Sequence, residues 1–281
     1  MLLTIYTCYF AMNNFQDKVA VITGAASGIG RALAVILAKQ GCLLALCDKD
    51  QDGLDETSQM IEVLGHQPLV SNFDVTDRYA LIDFAENVNE RFNKVDVLIN
   101  NAGVTIGTKP FLEITEEEWQ WIIDINIWGV IYGTQAFLPY MVDQKESCIV
   151  NLSSMLGLAG MTNQAAYSTT KFAVRGLSES LRMELAEAGV NVIAVFPGAV
   201  RTNIVDNAWA DDENKVLVKS YIKKIGSISA DDAAHQIVNG IKKKKPRVVI
   251  GSDARKVDFI TRLMPNKYTK LFLAEMKRKL E

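Results

Sequence analysis

The chain has 281 residues, 49% of them hydrophobic and 22% charged, and a formal net charge of −3. That length buries a large core without staples, and the mildly acidic balance leaves no electrostatic footprint for nucleic acid. Four cysteines without a CxxC pair, and only His66 and His235, argue against a zinc site. No metal is expected, and the protein is expected in a reducing, cytoplasmic compartment.

No apolar run reaches the ~18 residues of a membrane span. Residues 1–12 (MLLTIYTCYFAM) are apolar but lack the basic start of a signal peptide. They read either as a short interfacial anchor or, by preference, as the product of an upstream start, with Met12 the natural beginning. Residues 1–14 are therefore set aside as an N-terminal extension.

Residues 18–23 (KVAVIT) form a β-branched run that reads as a buried strand. Gly24, Ser27, Gly28, Ile29 and Gly30 then make a glycine turn that opens a helix over residues 31–40. Strand, glycine turn and helix are the context a dinucleotide-binding turn needs, because glycines let backbone approach a pyrophosphate and the helix N-terminus supplies N–H groups. The spacing is GxxxGxG, not the more familiar GxGxxG. A second strand over 42–47 ends at Asp48, 18 residues past Gly30. A carboxylate there accepts from ribose hydroxyls and repels a 2′-phosphate, which favours NAD(H) over NADP(H). Lys49, next in the chain, pulls the other way.

A helix over 52–64 and a strand over 68–73 lead to Asp74 and Val75. Asp74 could meet an adenine amino group or cap the next helix, read over 78–93. The fourth strand, 95–99, runs into Asn100, Asn101, Ala102 and Gly103, small and amide residues suited to close ligand approach. Thr115 and Glu118 have capping-box spacing at the start of a long apolar helix through residue 141, with Asn126 inside it. The fifth strand, 147–152, ends at Ser153 and Ser154. Residues 165–188 read as a helix that carries Tyr167 and Lys171 four apart, hence on one face. An ammonium beside a phenol favours the phenolate, a plausible acid/base for a hydroxyl or carbonyl oxygen.

A sixth strand over 190–196 leads into Pro197, Gly198, Val200 and Thr202. Residues 203–227 are polar with weak periodicity and read as a mobile lid candidate. A helix over 229–244 and a strand over 247–251 follow. Residues 254–281 read as an amphipathic helix around Pro265, packed on its own or a neighbouring subunit, with contact to a membrane the less favoured alternative.

Six or seven strand–helix alternations imply an α/β, Rossmann-type doubly wound parallel sheet with ligands at the strand C-terminal ends. TGAASGIG at 23–30, NNAG at 100–103, Asn126, Ser154, YSTTK at 167–171 and PGAVRT at 197–202 together resemble the short-chain dehydrogenase/reductase family. The resemblance covers residues 17–251, so residues 15–253 are taken as one domain and 254–281 as its C-terminal extension. It implies Tyr167 as acid/base, Ser154 (rather than Ser153) as donor to the reacting oxygen, Lys171 as pKa tuner and ribose anchor, and Asn126 as holder of a relay water. It also implies cofactor contacts along Gly24, Ser27, Gly28, Ile29, Gly30, Asp48, Asp74, Val75, Asn101, Ala102, Gly103, Pro197, Gly198, Val200 and Thr202. A homodimer or homotetramer and a small alcohol or carbonyl substrate are implied too. Met155, Leu156, Leu158, Met161 and Trp209 are candidates for an apolar substrate wall.

Overall fold

In the computed structural model, which describes residues 12, 14–142, 144, 146–225 and 228–280, seven strands form one parallel sheet. They are β1 (Val19–Thr23), β2 (Leu43–Asp48), β3 (Leu69–Asn72), β4 (Val97–Asn100), β5 (Ser147–Leu152), β6 (Val190–Pro197) and β7 (Arg247–Ile250). Their order across the sheet is β3-β2-β1-β4-β5-β6-β7. Succession reverses between β1 and β4, and a crevice opens there above the strand C-terminal ends.

The helices are α1 (Gly28–Ala38), α2 (Gln51–Glu62), α3 (Arg78–Phe92), α4 (Glu116–Ile123), α5 (Gly129–Phe137), α6 (Ala165–Glu184), α7 (Asp212–Ile225), α8 (Ala230–Lys242), α9 (Ser252–Leu263) and α10 (Tyr268–Leu280). They cover both faces of the sheet. Strand side chains alternate between faces, so each strand feeds two cores. Ala20, Ile22, Leu44 and Leu46 pack with apolar residues of α1, α2 and α8. Val19, Val21, Ala45 and Cys47 pack with those of α3, α4, α5 and α6. Cys42, Cys47 and Cys148 are free, buried thiols. Cys8, with the rest of the apolar segment over residues 1–11 and Asn13, lies outside the described residues. Met12 and Phe15 are buried against the α1 face.

Several elements depart from expectation. The helix expected through residues 119–141 is broken: α4 ends at Ile123, Asp124–Trp128 forms a π-turn, α5 follows, and a 3-10 turn over Leu138–Tyr140 closes it. Apolar residues on every side concealed the phase change. Thr115 does make the capping box with Glu118. The cap of α3 falls to Asp77, whose side chain accepts from the N–H groups of Tyr79 and Ala80, while Asp74 accepts from Thr76. Residues 203–227 contain a regular helix, α7, and the C-terminal segment is two helices separated at Pro265.

Candidate active site

The glycine turn is built to let backbone come close. Gly24 sits at φ +67°, and a Cβ there would lie 2.8 Å from the Cα of Ala102. Gly30 faces inward: a Cβ there would strike the Gly24 carbonyl at 2.1 Å. It therefore serves the packing of the turn and, unlike Gly24, Gly28 and Ile29, does not line the cleft. Ser27 occupies the N-cap of α1 in extended conformation with no side-chain capping bond, and no acid stands in the first turn. The orphan N–H groups and the positive end of the helix dipole are thus left for an anion.

Two strand ends brace this turn. The Thr23 hydroxyl accepts from the N–H groups of Asn101 and Ala102, each at 3.1 Å. The Asn101 side-chain amide donates back to the carbonyls of Thr23 at 2.9 Å and Gly24 at 2.8 Å. Asp48 is held by the N–H of Ala26 at 2.9 Å and that of Asp50 at 3.1 Å, which fixes its carboxylate at the cleft edge. Lys49 leans 3.9 Å from Asp74. Asp48, Lys49, Asp74 and Val75 all line the same end.

The cleft has a volume of about 820 Å³ and runs from this end past Asn101–Gly103 to Tyr167 and Lys171, and on to Pro197, Gly198, Val200 and Thr202. Its shape and donors fit a dinucleotide: an anion-binding helix end in the middle, an acid at one end, and small residues at close approach. Beyond Tyr167 the wall becomes largely apolar, with Met155, Leu156, Met161, Ile204, Val205 and Leu217 beside the polar Gln164, Asn207 and Ser220. Two expected wall residues are elsewhere. Leu158 is buried against Phe196 and Val257, and Trp209 meets Trp121 edge to face in a neighbouring polar depression.

Around Tyr167 the packing is tight. Burial pushes the phenol up to about 12, and a hydrogen bond with Ser154 opposes this. Burial pulls the Lys171 ammonium down to about 8. Its Nζ donates to the Leu152 carbonyl at 3.1 Å and lies 5.5 Å from the centre of the Tyr167 ring. The expected depression of the phenol by Lys171 is therefore not seen: desolvation dominates, and Ser154 is what opposes it. Ser154 accepts from the N–H of Leu156 and faces the cleft, whereas the Ser153 hydroxyl is used to donate to the Lys171 carbonyl at 2.7 Å.

Asn126 is fully buried in the π-turn. Its side chain pairs both ways with Val104, accepting from the N–H at 2.8 Å and donating to the carbonyl at 2.9 Å, and also donates to Thr170. A Cβ on Gly103 would sit 3.2 Å from both Asn126 Oδ1 and Lys171 Nζ, so the two side chains converge behind that glycine.

Three supporting residues escaped the sequence reading. Asn214 of α7 donates to the Thr108 carbonyl at 2.7 Å and accepts from its N–H at 3.0 Å. Gln164, just before α6, grips the same loop through the Gly107 carbonyl at 2.9 Å. Asp253 of α9 accepts from the Ala199 N–H at 2.7 Å and holds the loop that follows β6. Each acts across a long stretch of chain, and no local pattern announces it.

The profile of the short chain dehydrogenase family matches residues 18–213. This chain belongs to that family. The protein named oxidoreductase SadH of Mycobacterium tuberculosis is 40% identical over 271 residues, covering 94% of this chain and 96% of its own length. An uncharacterized oxidoreductase of Listeria monocytogenes is 37% identical, over 75% of this chain and 85% of that protein. Among solved structures, a short chain dehydrogenase/reductase from Burkholderia phymatum in complex with NAD matches with a TM-score of 0.81 at 29% identity, covering 94% of this chain and 97% of that one. Levodione reductase matches with a TM-score of 0.79 at 27% identity, over 87% and 99%. The chain is accordingly an NAD(P)-dependent oxidoreductase of the short-chain dehydrogenase/reductase family.

Proposed function

We propose that the protein moves a hydride between NAD(H) and an uncharged, lipophilic secondary alcohol or its ketone, or an aldehyde, with Tyr167 as the acid/base. The observation that carries this is the convergence of Tyr167, Ser154 and Lys171 where the cleft passes from nucleotide-binding features to an apolar wall. The bound cofactor would supply or accept the hydride. Gly24, Ser27, Gly28 and Ile29 would hold its pyrophosphate, Asp48 its adenosine ribose, Asp74 and Val75 its adenine, and Lys171 the other ribose. The loop over residues 197–202 would seat the nicotinamide.

In the reductive direction the carbonyl oxygen accepts hydrogen bonds from Tyr167 and Ser154. As hydride reaches carbon, the Tyr167 proton passes to the oxygen, and Ser154 stabilises the charge that develops there. In the oxidative direction the same phenolate takes the hydroxyl proton. Lys171, still cationic at neutral pH, favours that phenolate once a ligand excludes water. The Asn126 side chain is taken up by Val104 and Thr170, so its relay role rests on the main chain of the π-turn.

NAD(H) is favoured because Asp48 is fixed toward the cleft and Ser27 adds no charge to the glycine turn. The NAD-bound Burkholderia relative supports this reading. A second reading, NADP(H), is carried by Lys49 in the same cleft end. Dissociation constants for the two cofactors decide between them, with NADH expected to bind at least tenfold more tightly and Asp48→Ala to erase the difference. For the chemistry, Tyr167→Phe should lower kcat by several orders of magnitude with cofactor affinity retained. Near-normal turnover in that variant would remove Tyr167 from the mechanism.

A further inference from the structure

The C-terminal helices have two unlike faces. Inward, Ala254, Val257, Tyr268 and Phe272 pack on the body, with Val257, Tyr268 and Phe272 gathered around Leu158 and Phe196. Outward, Phe259 and Leu263, four residues apart on α9, are 64% and 63% exposed. Met264, Leu271 and Leu273 are exposed as well, on either side of Pro265. Arg262, Lys267 and Lys270 are exposed among them.

Charge is unevenly shared along the chain. Residues 252–281 hold eight of its 30 Lys and Arg and four of its 33 Asp and Glu. A chain that is −3 overall thus carries +4 in this segment. Of the acids there, Asp258 is already paired with Arg247 at 2.7 Å and lies 3.7 Å from Arg262. Exposed apolar side chains ringed by cations match a surface that is apolar inside and anionic outside. No helix among the described residues is long and apolar enough to cross a membrane, so the match is to lying on a bilayer.

We propose that the outer face of α9 and α10 docks on an anionic lipid bilayer, with Phe259, Leu263 and Leu271 entering the headgroup layer. The inner face of the same helices packs on Leu158, which follows Met155 and Leu156 of the cleft wall. A docked bilayer would therefore lie one helix layer from the substrate end of the cleft.

Co-sedimentation of the full chain with vesicles tests this without reference to catalysis. Binding to phosphatidylcholine vesicles containing phosphatidylserine should exceed binding to pure phosphatidylcholine by about tenfold or more, and it should weaken in high salt. The variant F259E/L263E, which changes only exposed positions and should melt like the parent, should lose that binding. Unchanged binding by the variant, or none by the parent, overturns the proposal. If the parent ignores vesicles but F259E/L263E lowers its mass in sedimentation velocity, the face is a contact between copies of this chain, and the lipid proposal again fails.

Discussion

Lys171 shows what a buried cation costs. Its folded-state pKa of about 8 lies below the ordinary lysine value of 10.5, so between those limits the unfolded chain binds the extra proton. Stability therefore rises with pH through that window, and the penalty for burying the charge is complete below pH 8. Lys171→Met removes the charge and also a donor to the Leu152 carbonyl. It should stabilise the protein at pH 7 by about 1–3 kcal/mol while abolishing turnover, and the gain should fade as pH approaches 10.5. Denaturant titrations at pH 7 and pH 10 check both sign and trend. Tyr167, with its phenol at about 12, is a proton donor throughout neutral pH. Oxidation of an alcohol should accordingly accelerate as pH rises from 7 to about 8 and gain nothing further above it, where Lys171 loses the charge that favours the phenolate, whereas carbonyl reduction should not accelerate. Tyr167, Lys171, Ser154 and Asp48 were legible in the sequence because motif spacing is itself geometric. A four-residue interval on a helix fixes a shared face, and a strand end fixes a position at the sheet rim. Their pKa values were not legible, since desolvation depends on everything packed around them.

At the scale of elements, the substrate side is assembled by long-range clamps. The loop at Gly107–Thr108 is gripped from α7 by Asn214 and from the start of α6 by Gln164. Gly107 adopts φ +73°, and a Cβ there would meet Asn214 Oδ1 at 2.4 Å. Asn214→Ala should release α7 from that loop and raise KM for the carbonyl substrate by about tenfold, the worth of one to two hydrogen bonds. Cofactor affinity should hold, and the Thr108 amide should exchange faster with solvent. The sequence suggested a mobile lid here and no definite helix, because polar residues blur the helical period of α7. It also gave no sign of the π-turn, where one phase shift in an apolar helix turns Asn126 inward to Val104.

For the whole molecule, the two ends of the sheet have separate duties. Candidate ligand groups occupy the C-terminal rim. At the opposite rim Asp96, nearly inaccessible, accepts from the Val19 N–H at 2.8 Å and pairs with Lys18 at 2.9 Å and Lys94 at 3.3 Å. Asp96→Ala should lower stability by about 2 kcal/mol, because it leaves a buried N–H unpaired and separates two cations from their acid. Thermal melts with and without saturating cofactor should show the loss in both, with the cofactor-induced shift preserved. Sheet architecture was the most legible property of this chain, as alternation of strands and helices admits few topologies. The support that Asp253 gives to Ala199 has a further consequence for biosynthesis. A chain that ends before residue 253 already contains the glycine turn, Asp48 and Tyr167, but the loop over residues 197–202 keeps only its backbone bonds to Ile228 and Ile250 and lacks the Asp253 carboxylate. Truncations that reach past Asp253 should therefore loosen this loop during synthesis as in the finished protein, and weaken nucleotide retention before they disturb the sheet.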